Sequence, residues 1–517
     1  MYLILLSILI PLLTGIFLLV SGAKSGRIYD ANLTSPNRTG NTEGRKHLLI
    51  IAGACFLLTD ALVIAALLTA YGTSFTLFAL TDSLSLLFAV DELSVLFAAL
   101  TLIVMTCAGF FSFEYMKQEQ KERRYYGFYL IVFAILNALC FAGNLITFYL
   151  FFEILTLSSM PLVLHNGSRE AVMAGLKYLF YSLCGAYMAL FGIYFVYRYS
   201  GTLTFTAGGV VFQSLDASAA GVTADPSATS LLLIVAMIML IGFGVKAGMF
   251  PLHAWLPAAH PVAPAPASAV LSAVIVKAGV LALIRTVYYI FGASFLRGTW
   301  VQTVWLTLTL ITVFMGSMLA YREPVLKKRL AYSTVSQLSY ILFGLAVMDV
   351  QSVNGSLLHV LAHGLIKASL FLCAGAIIYT TGKTRVDELR GIGKEMPLTM
   401  WCYTIVSLGL IGIPPTGGFI SKWYLALGSL SGAPSLFRFL GPAILLISAL
   451  LTAGYLLPPT IHGFLPGSDY DYAKHTKREP SLFMTIPILI MTVLSVLVGL
   501  FPTPLIDFLT RFVRLLV

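Results

Sequence analysis

Eight ionisable side chains stand out in an otherwise apolar chain: Glu153, Lys177, Lys246, Lys277, His359, His363, Lys367 and Lys422. Lys246 and Lys277 fall within residues 241–285, IGFGVKAGMFPLHAWLPAAHPVAPAPASAVLSAVIVKAGVLALIR, and the helix carrying Lys277 is expected to end near Arg285. Between them stand Pro251, Pro257, Pro261, Pro264 and Pro266. Proline removes a backbone donor and clashes with the preceding turn, so the helix carrying Lys246 must break soon after it. Non-helical backbone at membrane depth is tolerated only where protein or a wet cavity covers it. Ionisable groups beside such a break mark an ion path. Lys422 repeats the arrangement, directly after the proline–glycine interruption IPPTGGF.

Glu153 lies deep in NLITFYLFFEILTLSSMPLVL, and a bare carboxylate there must be protonated or paired. Lys177, one turn into the next helix, is its nearest candidate partner along the chain, and a helix-packing hydrogen bond is the competing reading. His359, His363 and Lys367 follow one another at i, i+4 and i+8, so they form one stripe on a helix face. Two histidines at that spacing can bind zinc, but no nearby carboxylate or cysteine completes a site. A proton relay or a hydrogen-bonded core stripe remains, and the near-neutral titration of histidine favours the relay. Asp60, inside LLTDALV, is read equally as a structural hydrogen-bonded group and as a peripheral proton site.

These groups need a scaffold that keeps them out of lipid. The 517 residues are 58% hydrophobic and only 10% charged, far from the roughly 25% charged residues of a soluble domain. Apolar stretches of spanning length are centred near residues 11, 58, 103, 134, 154, 184, 239, 278, 311, 339, 366, 411, 452 and 492. The expected fold is therefore an all-α polytopic membrane protein with about fourteen transmembrane helices. Helices 7 and 12 would be broken, within two inverted repeats of five helices each. Residues 1–124 would hold helices 1–3 and a cytoplasmic loop, 125–292 the first repeat (helices 4–8), 293–466 the second (helices 9–13), and 467–517 a loop and helix 14. No strand is evident, and residues 200–227 read as a weakly charged outer loop. Met1–Val20 lacks the basic start and small-residue cleavage site of a signal peptide.

The formal charge of +10 is distributed like membrane topology, not like a nucleic-acid footprint. The polar loop over 21–46 adds Arg27, Arg38, Arg45 and Lys46 to the basic side. Loops after odd-numbered helices also hold Lys117, Lys121, Arg123 and Arg124, then Arg322, Lys327, Lys328 and Arg329, and later Lys474, Lys477 and Arg478. The opposite side has only Arg198, Arg297, Arg438, Arg511 and Arg514. The positive-inside rule then places both termini outside the cytoplasmic membrane. The six cysteines are scattered and read as small apolar fillers. Their spacing fits neither an iron–sulfur cluster nor zinc, so no cofactor and no metal are expected, and any redox chemistry would belong to partners.

At these residues the chain resembles the antiporter-like subunits shared by respiratory complex I (NADH-quinone oxidoreductase), membrane-bound hydrogenase and formate hydrogenlyase, and Mrp-type cation/proton antiporters. The matching pieces are FFEILTLSSMPL, LKYLFY, VKAGMFPLHAWLPAAHPVAPAPASAVLSAVIVKAG, LKKRLAYSTVSQLSY, HVLAHGLIKASLFL and GIPPTGGFISKWYL, in order over about residues 125–430. AHPVAP…SAVLSAVIVKAG leans towards the hydrogenase branch. The resemblance implies that Glu153 and Lys246 form a central pair modulated by Lys177, with Lys277 at mid-membrane. His359, His363 and Lys367 would continue the hydrated axis to Lys422, an outer gate carrying lysine in place of glutamate. With the chain ending near 517, the long lateral helix of the largest complex I member is not expected.

Charges at the bilayer centre cost roughly 2.5–3.5 kcal/mol each on an insertion scale, so these groups should face inward, with water. The expected function is a proton-translocating subunit, with sodium as the alternative ion, of a redox-driven complex. Its partners would be a redox module and homologous antiporter-like subunits. A stand-alone Mrp-type antiporter subunit and an ion-coupling subunit for another process, such as bicarbonate uptake, are the competing readings.

Overall fold

The computed structural model describes all residues except 1, 25–41, 80, 82–83, 220–225, 468–469 and 472–476. Most of the loop read over 21–46, including Arg27 and Arg38, and also Lys474, lie outside the described residues. A helix passes through every expected centre. Twelve of these helices, among the described residues, are long and apolar enough to cross a membrane, so the count of fourteen is not established. The two exceptions have physical reasons. Glu122–Cys140 opens on the polar sequence ERRYYG, and Pro397–Ile411 is only 15 residues long because the second break follows it.

Three helices make the centre of the molecule. Ala265–Phe291, Leu326–Val347 and Val350–Thr381 bury 100%, 94% and 89% of their apolar windows, against 33% for Tyr2–Ser21 and Ser435–Phe464. The central three carry Lys277 and the His359–His363–Lys367 stripe, so the polar axis runs where protein, not lipid, surrounds it. Capping sets their ends. Asp349 accepts from the backbone N–H of Gln351 and Ser352 to start the histidine helix, and Gly382 closes it at φ 72°. Asn144 caps the Glu153 helix, Leu145–Val163, through Thr147 N–H.

Both expected breaks are present. The Lys246 helix, Pro226–Lys246, stops at its lysine; Gly248 then takes φ +70°, and the backbone resumes as the short helix Leu256–Val262. The segment PLHAWLPAAH thus supplies the second half of the broken helix. The indole N–H of Trp255 donates to Val245 O at 2.9 Å, tying the two halves together. At the second break Pro397–Ile411 ends on Gly412 at φ +96°, and Gly417–Gly432 carries Lys422 onward.

Four features depart from the sequence reading. Ser74–Ala79 and Ser85–Ala89 form an antiparallel hairpin, a pair of strands between the second and third spans. The loop at 200–227 contains a helix, Val210–Ala219. The Lys277 helix does not end near Arg285; it continues to Phe291 through π-helical turns at Leu271–Ile275 and Arg285–Phe291. After Leu482–Leu500 an amphipathic helix, Thr503–Leu516, lays Leu509, Phe512, Val513 and Leu516 inward.

Candidate functional site

Lys246 is buried at the end of its helix, and its Nζ donates to Thr156 Oγ1 and to Tyr178 OH, both at 2.7 Å. Its ammonium also lies 4.8 Å from the centre of the Tyr178 ring, which faces Trp255 across 4.7 Å. Ser159 Oγ, 2.8 Å from Tyr178 OH, extends this cluster along the Glu153 helix. Glu153 itself sits one turn before Thr156. Its Oε1 is buried without a hydrogen-bond partner, and no ion pair within 4.0 Å joins it to Lys246 or Lys177 among the described residues. Hydroxyls, not the carboxylate, hold the Lys246 ammonium directly.

Lys177 is turned away from this cluster. It is half-buried, its ammonium lies 5.9 Å from the Tyr181 ring centre, and it lines a surface cavity with Glu170, Met173 and Phe180. Its neighbour Tyr178 makes the inward contacts instead.

Lys277 lies 1% exposed, just beyond the first π-helical turn. A π turn widens the backbone, and Lys277 Nζ reaches back to Ser272 O in that turn at 2.9 Å. The same Nζ lies 2.9 Å from His363 Nδ1. His363 and His359 stack with ring centres 5.8 Å apart. His359 Nδ1 meets Ser421 Oγ at 2.8 Å, and its Nε2 meets Gln337 Oε1 at 3.1 Å. Tyr340 stacks on the His359 ring at 5.8 Å and lies under the Lys422 ammonium at 5.0 Å. Lys422 Nζ donates to Leu410 O and Ile411 O, two carbonyls that the second break leaves without helical partners. A cation at a helix C-terminus is favourably placed against the helix dipole.

The structure thus joins Lys277, His363, His359 and Lys422 in sequence through hydrogen bonds and ring contacts. Lys367 continues the histidine stripe, fully buried, with its Nζ on Leu330 O at 3.0 Å. Among the described residues no hydrogen bond joins Lys246 to Lys277. Their helices meet at Gly279, where an added Cβ would lie 2.6 Å from Ala247 N and 2.9 Å from Lys246 Cβ. Asp60 stands apart, with Oδ2 accepting from Thr106 Oγ1 at 2.6 Å.

Sequence reasoning missed Thr156, Tyr178, Ser272, Gln337, Tyr340 and Ser421 as partners of the charges. A signal existed for three of them. Thr156 is at i+3 from Glu153, and Tyr178 and Ser421 adjoin Lys177 and Lys422. Gln337 and Tyr340 come from a helix with no ionisable residue at that depth, so nothing in their local sequence marks them.

The family described as "NADH:quinone oxidoreductase/Mrp antiporter, TM" matches residues 142–456, and "NADH-Ubiquinone oxidoreductase (complex I), chain 5 N-terminus" matches 78–126. NADH-quinone oxidoreductase subunit N of Desulforudis audaxviator is 34% identical over 74% of this chain and 75% of its own length. A subunit of the Na(+)/H(+) antiporter of Alkalihalophilus pseudofirmus is 27% identical over 79% of each chain. A chain of the membrane-bound sulfane sulfur reductase, an archaeal respiratory membrane complex, shares the fold at a TM-score of 0.82 and 22% identity, covering 99% of this chain and 97% of that one. The chain is an antiporter-like, multi-pass membrane subunit belonging to the NADH:quinone oxidoreductase/Mrp antiporter family.

Proposed function

We propose that this subunit moves protons, with sodium as the alternative ion, through a buried relay within a redox-driven membrane complex. The carrying observation is the connected series Lys277–His363–His359–Lys422, in which the first three are buried on the central helices and Lys422 joins from Gly417–Gly432. Lysine and imidazole both exist in charged and neutral forms, and desolvation brings neutral lysine within reach, so each can accept and release a proton. In this reading Glu153 biases the charge on Lys246, Lys177 tunes Glu153 from the periphery, and Tyr178 and Thr156 hold the ammonium while it is charged. Lys277 receives the proton at mid-membrane, His363, His359 and Lys367 carry it along the axis, and Lys422 is the outer gate. Moving one charge against 100 mV takes about 2.3 kcal/mol, so a redox module and homologous membrane subunits are the proposed partners.

The proposed organisation is two inverted repeats, residues 125–292 and 293–466, flanked by 1–124 and 467–517, in the cytoplasmic membrane with both termini outside. The two breaks support it, although Lys246 closes its half-helix while Lys422 follows its break. A stand-alone cation/proton antiporter subunit is the second reading, favoured by the similarity to a Na(+)/H(+) antiporter subunit.

The test is ion transport by the native complex in proteoliposomes. Proton movement driven by electron-donor oxidation, lost in Lys246→Ala and Glu153→Gln, is the expected result. Movement driven only by an imposed sodium gradient would favour the second reading.

A further inference from the structure

The helix Arg169–Ser200 is 32 residues long, roughly 48 Å at 1.5 Å per residue. The hydrocarbon core is about 30 Å thick, so each end projects about 9 Å beyond it when the excess is shared equally. Lys177 stands two turns into this helix, about 12 Å along its axis. Its backbone therefore lies about 3 Å inside the hydrocarbon edge, where a flexible lysine stem reaches the lipid headgroups. The Tyr181 ring, centred 5.9 Å from the ammonium, is the kind of side chain that membrane interfaces favour.

The same stretch borders a cavity of about 620 Å³, within the ordinary size range of small-molecule sites. Met173, Leu176 and Phe180 form one wall, and Ala258 and Val262 of the short half-helix form the other. The first three are 60%, 48% and 67% exposed, so no described part of the chain covers that wall. Asn166 Nδ2 donates to Val262 O at 3.5 Å, which sets the mouth of the cavity beside the loop before the helix. From Glu170 to Phe180 the wall rises about 15 Å, half the hydrocarbon thickness. A spanning partner helix needs a groove through both leaflets; this one serves a single leaflet.

Two charges interrupt the apolar walls. Glu170 and Lys177 both line the cavity, and at i and i+7 they share a helix face. Among the described residues neither has an ion-pair partner within 4.0 Å. Two turns separate them, about 10 Å, so they do not neutralise each other. The Glu170 carboxylate stands nearer the mouth, the Lys177 ammonium below it, and the apolar wall continues past the lysine to Phe180. An amine headgroup, its phosphate and its acyl chain present the complementary order.

We propose that this cavity binds one glycerophospholipid with a zwitterionic, amine-bearing headgroup of the phosphatidylethanolamine type. Lys177 donates to the phosphate oxygens and Glu170 accepts from the headgroup ammonium. An acyl chain lies along Leu176 and Phe180, against Ala258 and Val262. Hydrogen bonds between ionised groups are the strong ones, and the walls add apolar burial. The lipid gives Lys177 the counter-ion that no described residue provides. The site holds whether or not the chain moves protons.

The test has two arms. In the first, the native complex carries p-benzoylphenylalanine in place of Phe180, is illuminated in its own membrane, and the adduct on that peptide is weighed. A phosphatidylethanolamine adduct is expected, falling about tenfold when Lys177→Met is added. An adduct to another polypeptide means that a partner subunit fills the cavity, and an undiminished lipid adduct means bulk lipid only; either overturns the proposal. In the second arm, the full-length chain, stripped of lipid in detergent, is titrated with dioleoylphosphatidylethanolamine or dioleoylphosphatidylglycerol, and bound lipid is counted by native mass spectrometry. Wild type should hold one phosphatidylethanolamine more tightly than phosphatidylglycerol. Lys177→Met should weaken both about tenfold, and Glu170→Gln, at an exposed position tolerant of substitution, should erase the preference. Wild-type affinity in Lys177→Met overturns the site, and an unchanged preference in Glu170→Gln overturns the assigned headgroup.

Discussion

Lys277 Nζ and His363 Nδ1 lie 2.9 Å apart between two helices that are 86 residues distant along the chain. While Lys277 is charged it can only donate there, so in that state Nδ1 accepts and any ring proton sits on Nε2. His363 Nε2 is buried without a partner, free to hand that proton on. In the proposed relay, His363→Ala should reduce proton flux about tenfold or more while the complex assembles. Unchanged flux in an assembled variant would remove His363 from the path.

Tyr178 provides one of two hydroxyls that hold Lys246. Hydrogen bonds to charged groups are worth about 1.5–3 kcal/mol, so Tyr178→Phe should weaken the charged state of Lys246 and lower flux several-fold. Thr156→Val should act in the same direction, and the double variant should be worse than either. Flux measured at equal complex content checks this; wild-type values in both singles would contradict it.

Gly279 permits the contact between the Lys246 and Lys277 helices, because a Cβ there would meet backbone at 2.6 Å. Gly279→Ala is expected to cost about 1–3 kcal/mol by overpacking. A thermal-unfolding series on the purified subunit should show the loss, and an unshifted midpoint would mean that the helices separate without strain.

Arg285 is 2% exposed and pairs through both terminal nitrogens with Asp91, with Phe205 and Tyr289 rings each 4.7 Å from the guanidinium carbon. Removing one partner of a buried pair leaves an uncompensated charge. Asp91→Ala should therefore destabilise by about 3 kcal/mol, near the low end because Asp91 is partly exposed. Asp91→Ala combined with Arg285→Leu should recover part of that loss. A double variant no more stable than Asp91→Ala would show that the pair is not the source.

His165 lies in the loop before Arg169–Ser200, with Nε2 2.8 Å from Gln120 O. Burial pushes its pKa down to about 4, and the Arg124 and Lys121 charges add to the fall. The unfolded chain takes up this proton below about pH 6.5, whereas the folded chain resists until about pH 4. Its contribution is present above pH 6.5 and declines as pH falls to 4, by about 3 kcal/mol at most. Thermal midpoints of wild type and His165→Gln should converge or cross as pH falls across that window; parallel curves would contradict the assignment.

Much of this architecture can be read from residue order. Prolines beside Lys246 and Lys422 foretell both breaks, since a helix cannot continue through them, and the i, i+4, i+8 spacing puts His359, His363 and Lys367 on one face. The partners of the charges are less legible, because they are set by how helices pack against one another. Gln337 and Tyr340 reach His359 from a different helix, and Lys177, the more conspicuous residue, faces outward while Tyr178 turns in. The hairpin Ser74–Ala79/Ser85–Ala89 escaped notice because its short apolar strands resemble the ends of neighbouring spans. Apolar length alone also leaves the number of spans open, since it does not register the polar start of Glu122–Cys140 or the short half-helix before Gly412.

The most direct test of the central claim is proton flux by the native complex carrying Lys277→Met, reconstituted beside wild type at equal subunit content. Lys277 lies where the connected series begins, so the relay predicts flux lowered about a hundredfold in an assembled complex. Wild-type flux in that complex would mean that the buried charges are structural and that ions take another path.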